Sequence, residues 1–383
     1  MTTRITEGSL RFIATASLVA SFACAKPPVQ EAPAPSPAPG GAVQGGGGRG
    51  PQTPEQIRAA REREVEGQKL TDATWRKASE GIMRMEKISY SSKAGGMTIP
   101  AFVFSPLQPR GAKGHPALVW VHPDIRGHVY EYYIPYVQEA VKRGYVVIAP
   151  EYRGSYGYGA EHYDAIDYGG QEVEDVTSAT EYLKTMPMVD MERVGIIGWS
   201  HGGMITLLAA EREPATFKAV AAIVPVTNLF QRLAWNGVEQ RKAGIDPQNR
   251  TGGLPSEKHD EYKRRSPIYQ VDNIQSPLLV HITRNDADVV IEEAMQLVDA
   301  LRARKPFLAE TKIYENPLGG HLFDRMSPAT LPGTGRGGAG PRPDMTDLKS
   351  FEPTNTPEQR DSWNRVWTFL DWNLRPYEGR KGT

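Results

Sequence analysis

The sequence predicts one large α/β domain, residues 81–376, built on an open and mostly parallel sheet with helices on both faces and an antiparallel hairpin at its start. Three observations lead there. Solidly apolar runs such as Ala117-Leu118-Val119-Trp120-Val121 and Tyr145-Val146-Val147-Ile148-Ala149 alternate with helical stretches, the mark of parallel strands buried on both faces. Two alternating segments, Met85 to Tyr90 and Met97 to Phe104, flank the glycine-bearing turn Ala94-Gly95-Gly96 and read as a hairpin. Finally, Gly198-Trp199-Ser200-His201-Gly202-Gly203 lies between the strand-like Val194-Gly195-Ile196-Ile197 and the helix-like Met204 to Ala210.

The amino terminus precedes this body. Arg4 and Arg11 flank the start of an apolar stretch that closes on Ser21-Phe22-Ala23-Cys24-Ala25, so residues 1–25 read as a bacterial export signal. Two processing routes stay open: lipidation at Cys24, giving a lipid anchor in the envelope, or ordinary cleavage after Ala23 or Ala25. Both imply an exported protein, periplasmic, envelope-anchored or secreted. Cys24 is the single cysteine, which excludes an intrachain disulfide. Residues 26–54 are rich in Pro, Ala and Gly and cannot bury enough apolar surface to offset their ordering entropy. Residues 55–80 form a helical segment, charged and expected to be solvated over its first part.

Within the body, a helix is expected from about Glu131 to Arg143. The alternation then continues through Glu172–Met186, Val194–Gly198, His201–Arg212, Ala219–Val224, Leu278–Thr283, Ile291–Arg304, Glu310–Tyr314 and Arg360–Leu374. Two insertions break it. Residues 227–272, with Phe230 and Trp235, are placed to form a partial lid and apolar pocket walls, and residues 327–357 are a Gly/Pro-rich surface excursion of unassigned role.

Forty-five basic residues balance 45 acidic ones, so no global field recruits nucleic acid or an anionic membrane. At 383 residues and 39% hydrophobic content, the chain can bury a core of enzyme size.

The chemistry starts at Ser200, whose strand-turn-helix setting holds a hydroxyl clear of the chain. A serine needs a base to remove its proton during attack, and the base needs a carboxylate to orient it. Of eight histidines, His321 follows a late strand in a glycine-flanked loop and is the candidate base. His122 and His281, at strand ends, read as structural; His115, His128, His162 and His259 read as solvated loop residues. Asp286 and Asp288 both follow the strand Leu278–Thr283; register favours Asp286, with Asp288 as a cap of the next helix. The order Ser200, Asp286, His321 is that of an α/β-hydrolase. For the oxyanion, the backbone N–H of His201 is one donor, and Asp124 or Ile125 must supply the second because Pro123 has none. No cofactor is implied, and the histidines show no metal-ligand spacing.

From about Lys87 to Leu374 the chain resembles the catalytic domain of the prolyl oligopeptidase family of serine peptidases. The resemblance rests on Glu151-Tyr152-Arg153-Gly154-Ser155-Tyr156-Gly157-Tyr158-Gly159, Gly169-Gly170, Val173-Glu174-Asp175-Val176 and Val189 to Ile196 leading into the Ser200 motif. It implies Ser200 as nucleophile, Asp286 as orienting acid and His321 as base. Three departures stand out: the family's β-propeller is not expected ahead of this hairpin, His122-Pro123-Asp124 replaces histidine-glycine-glycine, and His201 replaces a tyrosine. The segment Gly320 to Arg325 is also similar to dienelactone hydrolases and esterases. The expectation is therefore a serine hydrolase of small peptide or aminoacyl amides acting through an acyl-enzyme. The alternatives are a carboxylesterase of small esters and an inactive binding protein on the same fold.

Overall fold

The computed structural model describes residues 54–110, 114–235, 251–331, 344 and 346–377. The expected signal, the Cys24 anchor and the linker up to residue 53 lie outside the described residues. Eight strands build one sheet: β1 (Met83–Ser91), β2 (Thr98–Pro106), β3 (His115–Val121), β4 (Val146–Pro150), β5 (Val189–Trp199), β6 (Ala219–Ile223), β7 (Leu278–Thr283) and β8 (Ala309–Tyr314). Their spatial order is β1-β2-β4-β3-β5-β6-β7-β8. The leading hairpin is antiparallel, and β2 pairs antiparallel with β4; every later pairing is parallel. This is the α/β-hydrolase architecture expected.

Strands β3, β4, β6 and β7 are buried at every position, which accounts for their unbroken apolar character. Both sheet faces carry a core. On one, α4 (Gln171–Lys184), α5 (His201–Arg212) and the helix Ile291–Arg304 contribute Val173, Leu207 and Leu297. On the other, α1 (Pro54–Ser79), α2 (Ile134–Arg143) and the helix Pro357–Leu374 contribute Trp75, Val137 and Trp363. A short α3 (Ala160–Asp164) lies in the loop between β4 and α4.

The first helix is exposed or half-buried at nearly every described position up to Leu70, as expected, and becomes buried further on. It runs 26 residues, and its carboxyl-terminal half is docked. Trp75 is fully buried against Phe104, ring centroids 4.8 Å apart, and its indole N–H donates to the Val129 carbonyl at 3.0 Å. Thr71 donates to Glu131 at 2.6 Å. The charges that dominate the first part obscured a narrow apolar stripe further on, where Trp75 and Ala78 share a face.

The topology also places a crevice. From β3 the chain moves through α2 to β4 on one side, whereas β5 pairs with the opposite side of β3. Loops leaving β3 and β5 therefore diverge, and in open α/β sheets ligands bind outside the carboxyl ends of strands at such a switch point. Among the described residues, the 227–272 insertion contributes helices Leu229–Trp235 and His259–Arg264. The 327–357 excursion is closed at its base by Ala329 N–H on the Ser350 carbonyl at 2.9 Å and Thr354 N–H on the Met326 carbonyl at 3.0 Å, over a buried Phe351.

Candidate active site

Ser200 stands between β5 and α5 with φ 54° and ψ −119°, a region that side-chain-bearing residues rarely occupy. The glycines beside it are required by close approach. A Cβ at Gly198 would collide with the Gly202 carbonyl, and one at Gly202 with the carbonyls of Val121 and His122. The elbow is thus pressed onto the exit of β3. Its backbone is pinned: Ser200 N–H donates to Ile223 O at 3.0 Å, and Val226 N–H to Ser200 O at 3.2 Å. Val224 between them has φ 43°, a conformation costly for a β-branched residue.

Asp286 leaves β7 and His321 leaves β8, both at the carboxyl edge. His321 Nδ1 lies 2.8 Å from Asp286 Oδ2. The other carboxylate oxygen accepts the backbone N–H groups of Asp288 and Val289, each at 2.8 Å, so the buried acid is held at both ends. Asp288 is exposed, and the helix Ile291–Arg304 begins after Val290 without a side-chain cap. Asp286 therefore takes the imidazole hydrogen bond, and Asp288 does not cap the helix; Arg232 Nη1 donates to the Asp288 carbonyl at 2.9 Å. Among the described residues, Asp286, Asp288 and His321 form a group in which one ligand atom of each falls within 4.8 Å of the others.

The loop after β3 lies against the elbow. Asp124 has φ 66°, which explains how it stands where glycine is usual, since aspartate tolerates the left-handed region. Tyr152 organises this loop, its hydroxyl donating to the carbonyls of His122 at 3.1 Å and Asp124 at 3.0 Å. The Asp124 carboxylate accepts the Tyr130 hydroxyl at 2.6 Å, while the Arg126 guanidinium lies 3.8 Å from the centre of the Tyr163 ring. Ile125 is half-buried and Asp124 exposed. The Tyr152 loop is itself fixed by Arg153, which grips Asp175 of α4 through Nε at 2.7 Å and Nη2 at 2.8 Å. A buried bidentate pair of this kind is geometrically specific.

Several histidines are buried. His122 stacks on Tyr152 at 4.1 Å, and its Nε2 is 2.9 Å from Ser155 Oγ; burial pushes it down to about 4. The His201 ring stacks on Tyr168 at 4.9 Å with Nε2 3.6 Å from Glu172; burial takes this imidazole down to about 3 and Glu172 up to about 7. His281 is buried as expected, with Nδ1 2.9 Å from Ser362 Oγ. His115 and His162, expected in solvent, are buried. His115 Nδ1 donates to the Gly144 carbonyl at 2.7 Å, and His162 Nε2 sits 3.0 Å from the carbonyls of Glu151 and Tyr152. Both follow glycine- or proline-containing segments whose backbone groups need partners, a demand that local polarity does not reveal. His128 is half-buried and His259 exposed.

Phe230 is half-buried in an aromatic group with Tyr262 at 5.4 Å and Tyr269 at 5.8 Å. Trp235 ends the helix Leu229–Trp235; its side chain lies outside the described residues. Tyr152, Asp324 and Arg325 were not singled out from the sequence. Only the position of Tyr152 within the motif that begins at Glu151 pointed to it.

A model of the prolyl oligopeptidase family matches residues 132–326. The chain belongs to this family. Its matched region holds Ser200, Asp286 and His321, while the unusual His122-Pro123-Asp124 loop lies ahead of it. The uncharacterized peptidase YuxL of Bacillus subtilis is 29% identical over 246 residues, 63% of this chain and 36% of that protein. The acylamino-acid-releasing enzyme of Homo sapiens is 27% identical over 228 residues, 57% of this chain and 30% of the enzyme. Dipeptidyl-peptidase 5 of Porphyromonas gingivalis is 32% identical over 169 residues, 43% of this chain and 24% of that protein. The matches thus span about a quarter to a third of those relatives. Among solved structures, a puromycin-hydrolyzing peptidase of Mycobacterium tuberculosis superposes with a TM-score of 0.59 at 22% identity, covering 76% of this chain and 39% of that one. The uncomplexed acylaminoacyl peptidase of Pyrococcus horikoshii gives 0.57 at 18% identity, covering 79% and 43%. This prolyl oligopeptidase family chain shares their fold.

Proposed function

We propose that the protein is a serine hydrolase that cleaves peptide or aminoacyl amide bonds, with Ser200 as nucleophile, His321 as general base and Asp286 as the acid that orients it. The observation that carries this reading is the 2.8 Å contact between His321 Nδ1 and Asp286 Oδ2 at the same sheet edge as the strained elbow of Ser200. The bond through Nδ1 leaves Nε2 as the atom that takes the serine proton. Attack of Oγ on the carbonyl carbon forms a tetrahedral oxyanion, which the N–H of His201 and that of Asp124 or Ile125 stabilise. His321 then returns the proton to the leaving amine, and water cleaves the acyl-enzyme by the same route.

Relatives named as acylamino-acid-releasing enzymes and a dipeptidyl-peptidase support an amide substrate of small size. Phe230 and Trp235 are proposed as apolar pocket walls. Export, with Cys24 as a lipid anchor, is proposed from the amino-terminal sequence alone; metabolic labelling with a fatty-acid probe that survives Cys24→Ala would remove the anchor.

The deciding experiment is labelling with a fluorophosphonate alongside hydrolysis of aminoacyl amides and short acyl esters. Labelling that vanishes in Ser200→Ala, with amide turnover above background, is the expected result. Ester turnover without amide turnover would instead make this a carboxylesterase. No labelling of the unaltered protein would remove the nucleophile assignment and leave a binding protein on a hydrolase fold.

A further inference from the structure

Two charged side chains behind the site are buried to 1% exposure, Asp324 and Arg325. They follow His321 in the turn Gly320–Arg325. Asp324 Oδ2 accepts the indole N–H of Trp199 at 2.6 Å, and Trp199 is the residue directly before Ser200. Arg325 Nη2 donates to the backbone carbonyl of His321 at 2.5 Å, Nη1 lies 3.4 Å from the Tyr133 hydroxyl, and Nε is 3.3 Å from Asp324 Oδ1. A continuous polar path therefore joins the elbow residue to the backbone of the imidazole: Trp199, Asp324, Arg325, His321.

The path has a geometric purpose. Strands β5 and β8 are separated by β6 and β7, roughly 14 Å at ordinary strand spacing. Asp286 fixes the imidazole ring from β7, but it does not fix the backbone that carries the ring. The path is anchored at Trp199 and at Asp324. Trp199 is wedged between Trp120 at 4.9 Å and Tyr133 at 4.7 Å, and the Asp324 carbonyl accepts Trp363 Nε1 at 2.7 Å and the Tyr136 hydroxyl at 3.1 Å. A buried ion pair adds little to stability over an apolar replacement, whereas a fixed arrangement is a recognised use of one.

We propose that Asp324 and Arg325 are positioning residues that hold the His321 backbone at a set distance from the Ser200 elbow. This rests on the Ser200–His321–Asp286 reading above. The test measures fluorophosphonate labelling rate, kcat and KM for Arg325→Gln, Arg325→Lys and Asp324→Asn, with the folded fraction of each taken from thermal unfolding. Arg325→Gln is expected to lower kcat and labelling rate by about 10²-fold, the scale of a displacement near 1 Å, with KM little changed. Arg325→Lys should recover part of that loss because an ammonium still donates to the His321 carbonyl. Asp324→Asn should lose less, since an amide oxygen still accepts from Trp199.

Folded Arg325→Gln with unaltered kcat and labelling rate would overturn the proposal. So would a loss that vanishes once rates are divided by the folded fraction. Should Arg325→Gln fail to fold, Arg325→Lys and Asp324→Asn decide on the same criteria. An unaltered protein that does not label at Ser200 removes the triad reading and this role together, whereas a labelled one with an unaffected Arg325→Gln removes this role alone.

Discussion

Asp286 performs two tasks with its two oxygens, one toward His321 and the other toward the N–H groups of Asp288 and Val289. An amide in its place keeps the shape yet can present the wrong tautomer of the imidazole to the serine. Asp286→Asn is therefore expected to lower kcat by about 10⁴-fold with little effect on KM, measured on the substrate that the unaltered protein turns over. Asp288→Asn changes an exposed carboxylate and should leave kcat near that of the unaltered protein and stability within about 0.5 kcal/mol. Equal losses in the two variants would show that the acid was wrongly chosen.

At the scale of elements, the first helix is a brace for the loop that leaves β3. Trp75 and Thr71 reach Val129 and Glu131 immediately beyond that loop, and Gly67 packs against the Tyr156 ring in the loop after β4. Replacing a fully buried tryptophan removes transfer energy and leaves a cavity. Trp75→Ala should cost about 3–5 kcal/mol, read from the urea midpoint at constant slope. A chain beginning at Gly81 should lose more than Trp75→Ala does. Equal midpoints for these two and the unaltered protein would mean that the helix is not part of the cooperative unit.

For the whole molecule, buried titratable groups set opposing pH windows. Burial takes Glu172 from an ordinary 4.5 up to about 7, so the folded state keeps a proton that the unfolded chain gives up. Its contribution to stability is complete below about pH 4.5 and is lost as pH rises through about 7. His122 and His201, lowered by burial to about 4 and about 3, act in the other direction. Their contribution is present above the ordinary histidine value of 6.5 and is lost as pH falls toward those lowered values. Thermal unfolding across about pH 4.5 to 7 should show Glu172→Gln gaining stability relative to the unaltered protein as pH rises, while the loss toward acid pH from the histidines is retained. A stability difference between the two proteins that does not change over this window would mean that Glu172 titrates normally.

Much of the fold was legible because its signals are local. Unbroken apolar runs announced the parallel strands, the alternating pair about Gly95 announced the hairpin, and the glycines around Ser200 announced a turn too tight for side chains. Other features depend on distant partners. The stripe of Trp75 and Ala78 packs in one core with residues of the hairpin and α2, and nothing near His115 or His162 in the sequence reveals the carbonyls that bond them. The choice between Asp286 and Asp288 is likewise a matter of direction. Both carboxylates come within 4.8 Å of the His321 ring, and the fold directs that of Asp286 to Nδ1.

The sequence by itself determined the strand and helix order, the elbow at Ser200 and the candidate pairing of a late aspartate with His321, since each follows from short-range sterics and periodicity. Tertiary structure alone decided which aspartate meets the imidazole, how Asp124 occupies a glycine-like conformation, and that Asp324 and Arg325 bridge β5 and β8. Those outcomes depend on the packing of segments far apart in the chain, where the burial of a polar group is settled by a partner that no local pattern specifies.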